Sequence, residues 1–261
     1  MSQTSQSSQS SKTSAIRDVH LYLHTHWDRE WYRSFEGYRY RLIRSLQGIL
    51  EHLEAHPDQS FLLDGPTVVL EDYLALYPQD QGRIASLIQA GRLHIGPWYV
   101  LPDEFLVSGE SLIRNLQVGL RQSRALGQTR FCAYLPDMFG HPAQIPQILQ
   151  QSGLSPAVIR RGVNPQEAYF SWKGLAGEPL PTQHLTKGYY QDALHMEEPD
   201  KALMESFLTA IAAATPEHLP LLLPVGADHM GLPQNLDQKL KWLQDSFPMY
   251  RFHQSTLLDY L

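Results

Sequence analysis

The positions of the apolar residues along the chain predict most of its elements. Val19-His20-Leu21-Tyr22-Leu23 is a short β-type run ending at polar His24-Thr25-His26. Leu42, Leu46, Ile49, Leu50 and Leu53 then recur at the spacing of one helical face, which predicts a helix over Arg39–His56. Phe61–Leu63 reads as a second strand, stopped by Asp64-Gly65-Pro66; a helix over Leu70–Ala90 follows and closes at Gly91. The alternation repeats with a strand at Leu93–Ile95, a helix over Ser108–Leu126, a strand at Phe131–Leu135, a helix over Pro142–Ser152 and a strand at Ala157–Ile159. After a β excursion at Phe170–Trp172 and Thr182–Leu185 come a helix over Lys201–Ala214, a strand at Leu221–Val225 and a last long helix over Leu232–Phe247. Strands alternating with helices predict a parallel sheet covered by helices. Six or seven such strands point to an α/β fold of barrel-like form, with a doubly wound open sheet as the alternative.

Composition narrows this reading. At 261 residues, 43% of them hydrophobic and 18% charged, the chain can build one large domain or two small ones, with an ample core. A formal net charge of -6 without a basic run argues against nucleic acid or an anionic membrane as partner. No stretch approaches the roughly 20 apolar residues that span a bilayer. Residues 1–14 are rich in Ser and Gln and lack an apolar h-region, so they read as a disordered tail rather than a secretory signal, and the protein as cytoplasmic. The single cysteine, Cys132, excludes an internal disulfide and a cysteine-based zinc site, and its apolar surroundings predict burial.

Candidate chemistry gathers just after strand ends, the edge where parallel α/β proteins build their sites. In an extended segment His24, His26 and Asp28 point one way, which presents two imidazoles and a carboxylate as a partial shell for Zn²⁺, or simply polar residues on a loop. Asp137, in Leu135-Pro136-Asp137-Met138-Phe139-Gly140-His141-Pro142, follows a strand directly and reads as a metal ligand, a nucleophile or a helix cap. Asp228, in Gly226-Ala227-Asp228-His229, suits a general acid if burial or a neighbouring carboxylate raises its pKa, or a plain loop residue before a helix. Trp98, beside Asp103 and Glu104, suits either a sugar-stacking face or the core. One of the pair Arg160-Arg161 can reach a carboxylate at the mouth, if the two are not merely a surface pair.

Taken together these segments resemble glycoside hydrolase family 38, the class II α-mannosidases, from about Val19 to the C-terminus. The family's His-x-His-x-Asp run followed by Trp is matched by His24, His26, Asp28 and Trp31. Its Asp-x-Phe-Gly-His segment is matched by Asp137, Phe139, Gly140 and His141, and its acid/base segment by Gly226–Asp228. The resemblance implies a (β/α)₇ barrel over residues 15–261 and retaining hydrolysis of terminal α-mannosides in mannose-containing oligosaccharides. One Zn²⁺ ion is implied on His26, Asp28 and Asp137, with Asp137 also the nucleophile and Asp228 the acid/base. Trp31, Phe139 and Arg161 are implied as substrate-binding residues, with Trp98 as a further candidate, and His24 as outer support. The family's fourth zinc ligand lies on a downstream segment this chain does not contain. The resemblance therefore also brings a split enzyme with a separately encoded C-terminal part, or a non-catalytic mannoside-binding barrel, as alternatives. Another zinc hydrolase of amidohydrolase or deacetylase type is the competing class.

Overall fold

The computed structural model describes residues 16–261, so the tail expected at residues 1–14 lies outside the described part. In chain order the elements are β1 (Arg17–Thr25), α1 (Phe35–Ala55), β2 (Phe61–Leu63), α2 (Val68–Leu74), α3 (Gln81–Gln89), β3 (Leu93–His94), α4 (Gly109–Ala125), β4 (Ala133–Leu135) and α5 (Ile145–Gln151). Then follow β5 (Ala157–Ile159), β6 (Tyr169–Trp172), β7 (Leu180–His184), α6 (Asp192–His195), α7 (Lys201–Ala214), β8 (Leu221–Val225), α8 (Leu236–Ser246), β9 (Tyr250–Gln254) and α9 (Leu257–Tyr260).

Helix ends follow local chemistry. Ser34 caps α1 by accepting the Gly37 N–H, and Ser108 caps α4 by accepting the Ser111 N–H. The single helix expected over Leu70–Ala90 is instead two, α2 and α3, separated by a 3-10 turn at Pro78–Asp80. Pro78 explains the break, because proline lacks an N–H and pushes the preceding residue out of the helical region; Tyr77 has φ -126°. The last long helix likewise starts at Leu236 rather than Leu232, after Pro233 and a left-handed Asn235.

The strands form two sheets. In the first the order is β3-β2-β1-β8, all parallel, with β9 pairing the first part of β1 in the same direction. In the second the order is β4-β5-β7-β6, parallel except for the antiparallel β6–β7 pair. The expected parallel sheet with helices around it is present. Closure of that sheet into the barrel implied by the resemblance is not drawn by hydrogen bonds, since no strand ladder joins the two sheets among the described residues. Gln183 and His184 of β7 and Leu222 and Pro224 of β8 line one small cavity.

The two sheets nonetheless enclose a shared interior. Tyr22, Leu62, Tyr134, Val158 and Leu222, from five strands of both sheets, meet in one buried cluster with Cys132, Tyr189 and Leu257. The alternate residues point outward, as the strand period of two requires. Leu21, Leu23, Leu221 and Leu223 pack under α1, α7 and α8, while Ala133, Leu135, Ala157 and Ile159 pack under α4 and α5. Cys132 is buried, as expected. No helix of the described residues is long and apolar enough to cross a membrane.

Candidate active site

The strand register decides which loops meet. β1 pairs with β2 through Thr25 and Leu63, so the next residues, His26 and Asp64, emerge side by side. β1 pairs with β8 through Leu23 and Val225, and three residues further on His26 and Asp228 form an isolated parallel bridge. β4 pairs with β5 through Leu135 and Ile159, which brings Asp137 beside Arg160 and Arg161. All of these residues leave the C-terminal ends of their strands, the edge where the sequence located them.

His26 is the hub. Its imidazole is almost fully buried, with Nδ1 3.1 Å from Asp64 Oδ2, and Nε2 3.7 Å from Asp28 Oδ1 and 3.5 Å from Asp137 Oδ2. Asp28 lies against His229, whose Nε2 is 3.1 Å from the Asp28 backbone N–H nitrogen and 3.2 Å from Oδ2. Asp137 Oδ1 receives Arg160 Nη1 at 2.9 Å and Arg161 Nη2 at 2.7 Å. Both tandem arginines therefore reach the carboxylate; Arg160 also lies over the rings of Tyr189 and Tyr190, and Arg161 over that of Phe139. Close approach makes this possible. Gly162, at φ +79°, lies so near Gly140 that a Cβ on it would sit 2.8 Å from the Gly140 Cα.

The charges are strongly coupled. Burial disfavours a charged His26, but Asp64, Asp28 and Asp137 outweigh it and raise the imidazole well above its ordinary value. Burial likewise works against the Asp28 carboxylate, yet the neighbouring imidazoles of His229 and His26 bring it below the usual range. For Asp137 burial wins over His26, Arg161 and Arg160, and its carboxyl is raised. Asp228 is half-buried, with Oδ1 enclosed and without a hydrogen-bond partner among the described residues. Tyr190 stands near both acids, its hydroxyl raised by burial first and then by the charges of Asp228 and Asp137.

A metal fits one part of this arrangement. Both ring nitrogens of His26 are buried without a hydrogen-bond partner among the described residues, and of the two it is Nε2 that faces two carboxylates. Ligands at about 2.0–2.2 Å from a tetrahedral zinc stand about 3.4 Å from one another, close to the 3.5 and 3.7 Å found here. The three side chains do not yet close into a metal-ready cluster among the described residues.

The other candidates divide. Trp31 and Phe139 are exposed, free to meet a ligand, and an open cleft of about 380 Å³ bounded by His26, Asp28, Arg29, Phe35 and Leu101 lies at the same rim. Trp98 does not reach the rim. It is fully buried in the core under α4, with its indole N–H donating to the Tyr134 carbonyl at 3.0 Å, so the sugar-stacking expectation is corrected. Trp98→Ala is therefore expected to cost about 3–5 kcal/mol in urea denaturation; a variant as stable as the parent would contradict this placement. His24 turns inward between Tyr22 and Tyr189, its Nε2–H donating to the Tyr189 carbonyl, and burial lowers it to about 4.

Three participants were not singled out from the sequence. Asp64 was read as a turn residue, Arg160 as one of an undecided pair, and Glu104 only as an acid near Trp98. Glu104 is buried and touches His141, Oε2 to Nδ1 at 3.1 Å, while His141 Nε2–H donates to the Arg161 carbonyl at 3.0 Å. Burial raises Glu104 against the pull of His141. This pair ties the loop after β4 to the loop after β5.

Comparison with known proteins identifies the frame. Residues 17–261 match the N-terminal domain of the glycosyl hydrolases family 38. The chain belongs to that family. It is 35% identical over 272 residues to a Halalkalibacterium halodurans protein named "Putative mannosylglycerate hydrolase", covering 94% of this chain and 29% of that protein. It superposes on the crystal structure of an α-mannosidase from Enterococcus faecalis V583 with a TM-score of 0.86 and 32% identity, over 94% of this chain and 28% of the other. A 4-α-glucanotransferase from Thermococcus litoralis shares the fold alone, with a TM-score of 0.65 at 16% identity. The chain thus spans under a third of the length of the family members it matches.

Proposed function

We propose that this family 38 domain hydrolyses terminal α-mannosides with retention of configuration, using one zinc ion on His26, Asp28 and Asp137. The observation that supports this reading is the buried His26 Nε2 facing two carboxylates, Asp137 at 3.5 Å and Asp28 at 3.7 Å, on the rim where Asp228 also emerges. Bound there, zinc would supply Lewis acidity and an anchor for sugar hydroxyls.

The chain's own groups account for the covalent chemistry. Arg160 and Arg161 aim Asp137 by gripping Oδ1. Its carboxylate attacks the anomeric carbon, the C–O ester bond forming as the glycosidic bond breaks. Asp228 gives its proton to the departing oxygen. In the second half Asp228, now ionised, takes a proton from water as that water attacks the anomeric carbon and frees Asp137. Trp31 and Phe139, exposed at the rim, offer faces to the sugar, and Phe139 is held by the Arg161 guanidinium stacked on it at 3.7 Å. Mannose-containing oligosaccharides are the substrate class; the name of the Halalkalibacterium halodurans relative adds mannosylglycerate as a small candidate.

The test is hydrolysis of an aryl α-mannoside and of mannosylglycerate, with metal analysis on the same sample. Close to one zinc per chain is expected, with turnover that falls to background after chelation and returns on adding zinc. Turnover unchanged after complete metal removal would refute the zinc assignment. Release of acetate or ammonia from suitable substrates, without action on mannosides, would favour the deacetylase or amidohydrolase class.

A further inference from the structure

Asp64 has no part in the covalent steps above, yet its setting is unusual for a turn residue. It is fully buried, and its backbone is left-handed at φ +43°, a conformation that non-glycine residues rarely adopt although Asp tolerates it. Oδ2 accepts the Trp27 N–H at 3.0 Å and makes an ion-pair contact of 3.1 Å with His26 Nδ1, while neither Oδ1 nor His26 Nδ1 has a hydrogen-bond partner among the described residues. Tying down one backbone N–H does not require a charge, and a buried carboxylate is expensive unless an opposite charge faces it. An asparagine or serine would make that bond at lower cost.

We propose that Asp64 is the positioning residue for His26, accepting a hydrogen bond from Nδ1–H so that Nε2 presents its lone pair to a divalent cation between Asp28 and Asp137. The geometry gives the reason. His26 lies between one carboxylate on its Nδ1 side and two on its Nε2 side. A neutral imidazole carries its proton on one nitrogen only. With Asp64 holding that proton on Nδ1, a turn of the ring or a change of tautomer would leave the buried carboxylate with the Trp27 N–H as its one remaining partner among the described residues, and Nε2 is left bare toward the cation. A carboxylate behind a metal-binding histidine also makes the imidazole a stronger donor. Asp64 can do this because β2 pairs with β1 in the register that sets Leu63 against Thr25, and a left-handed turn then directs its side chain across to the neighbouring strand end.

The proposal rests on the metal reading of the site, and the experiment separates the two. Zinc is titrated against a chromophoric chelator into the parent chain, Asp64→Asn and Asp64→Ala, with apo-protein melting curves recorded alongside. Asp64→Asn, which keeps an acceptor of the same shape but no charge, is expected to melt with the parent and to bind zinc about tenfold more weakly; Asp64→Ala is expected to bind about 100-fold more weakly. A parent chain that binds zinc no better than both variants overturns the positioning role and leaves the metal site intact. A parent chain that binds no zinc overturns both. Should the variants fold poorly, nitrogen-15 NMR of the zinc-loaded parent decides: a proton on His26 Nδ1 is expected, and one on Nε2 overturns the proposal.

Discussion

Exchanging Asp137 for alanine is expected to cut turnover of an aryl α-mannoside by at least about 10³-fold and to weaken zinc binding in the same variant. Both losses have one cause. Asp137 Oδ2 is one of the two carboxylate oxygens facing His26 Nε2, and its other oxygen is fixed by Arg160 and Arg161. Without the carboxylate there is no nucleophile for the first displacement, and two guanidinium groups are left without their shared anion at a half-buried position. Zinc affinity should fall by more than the roughly 10–100-fold typical of losing an outer partner, because a direct ligand is removed. Steady-state kinetics and zinc competition on one preparation check the pair of effects. An Asp137→Ala chain that turned over normally would remove the nucleophile assignment; one that lost turnover but kept full zinc affinity would separate the nucleophile from the metal site.

Asp228→Ala is expected to behave differently. Asp228 bridges to His26 through the backbone, but its carboxylate is not among the ion pairs of the His26 ring. Zinc affinity should therefore be preserved. Hydrolysis of mannosides with poor leaving groups should slow by about 10²–10⁴-fold, the range attributable to a positioned general acid. With a strongly acidic phenol as leaving group the formation of the mannosyl ester needs little proton assistance, so that step should proceed near the parental rate and appear as a burst of phenol. Equal losses for good and poor leaving groups, or a loss of zinc, would assign Asp228 a role other than proton transfer.

Much of this was legible in the sequence, for identifiable reasons. Apolar runs such as Leu221–Val225 and faces such as Leu42, Leu46, Ile49 and Leu53 are periodic because each packs on one layer, and both elements form as expected. β9 was not seen as a strand: Tyr250–Gln254 is short, half-exposed and largely polar, and it is ordered by pairing with Arg17–Leu21 rather than by its own pattern. Strand count points to a barrel-like α/β fold; the parallel strands and surrounding helices are present, and hydrogen bonds group the strands into two sheets. Motif spacing located His26, Asp28, Asp137 and Asp228 because each directly follows an apolar strand. Asp64 is hidden because Asp-Gly-Pro is an ordinary turn signal, and its contact with His26 comes from a neighbouring strand that the local sequence does not reveal. Trp98 was ambiguous for the opposite reason, since nothing local says whether an aromatic after a strand faces solvent or α4.

The account's central claim is that His26, Asp28 and Asp137 share one cation on the rim that also carries Asp228. Anomalous X-ray diffraction at the zinc edge, from crystals soaked in zinc and mannose, tests it most directly. One peak bonded to His26 Nε2 and to carboxylate oxygens of Asp28 and Asp137, with the sugar beside it and Asp228 within reach of the anomeric oxygen, is the predicted result. A peak on other residues, or a mannose bound away from all four side chains, would contradict it.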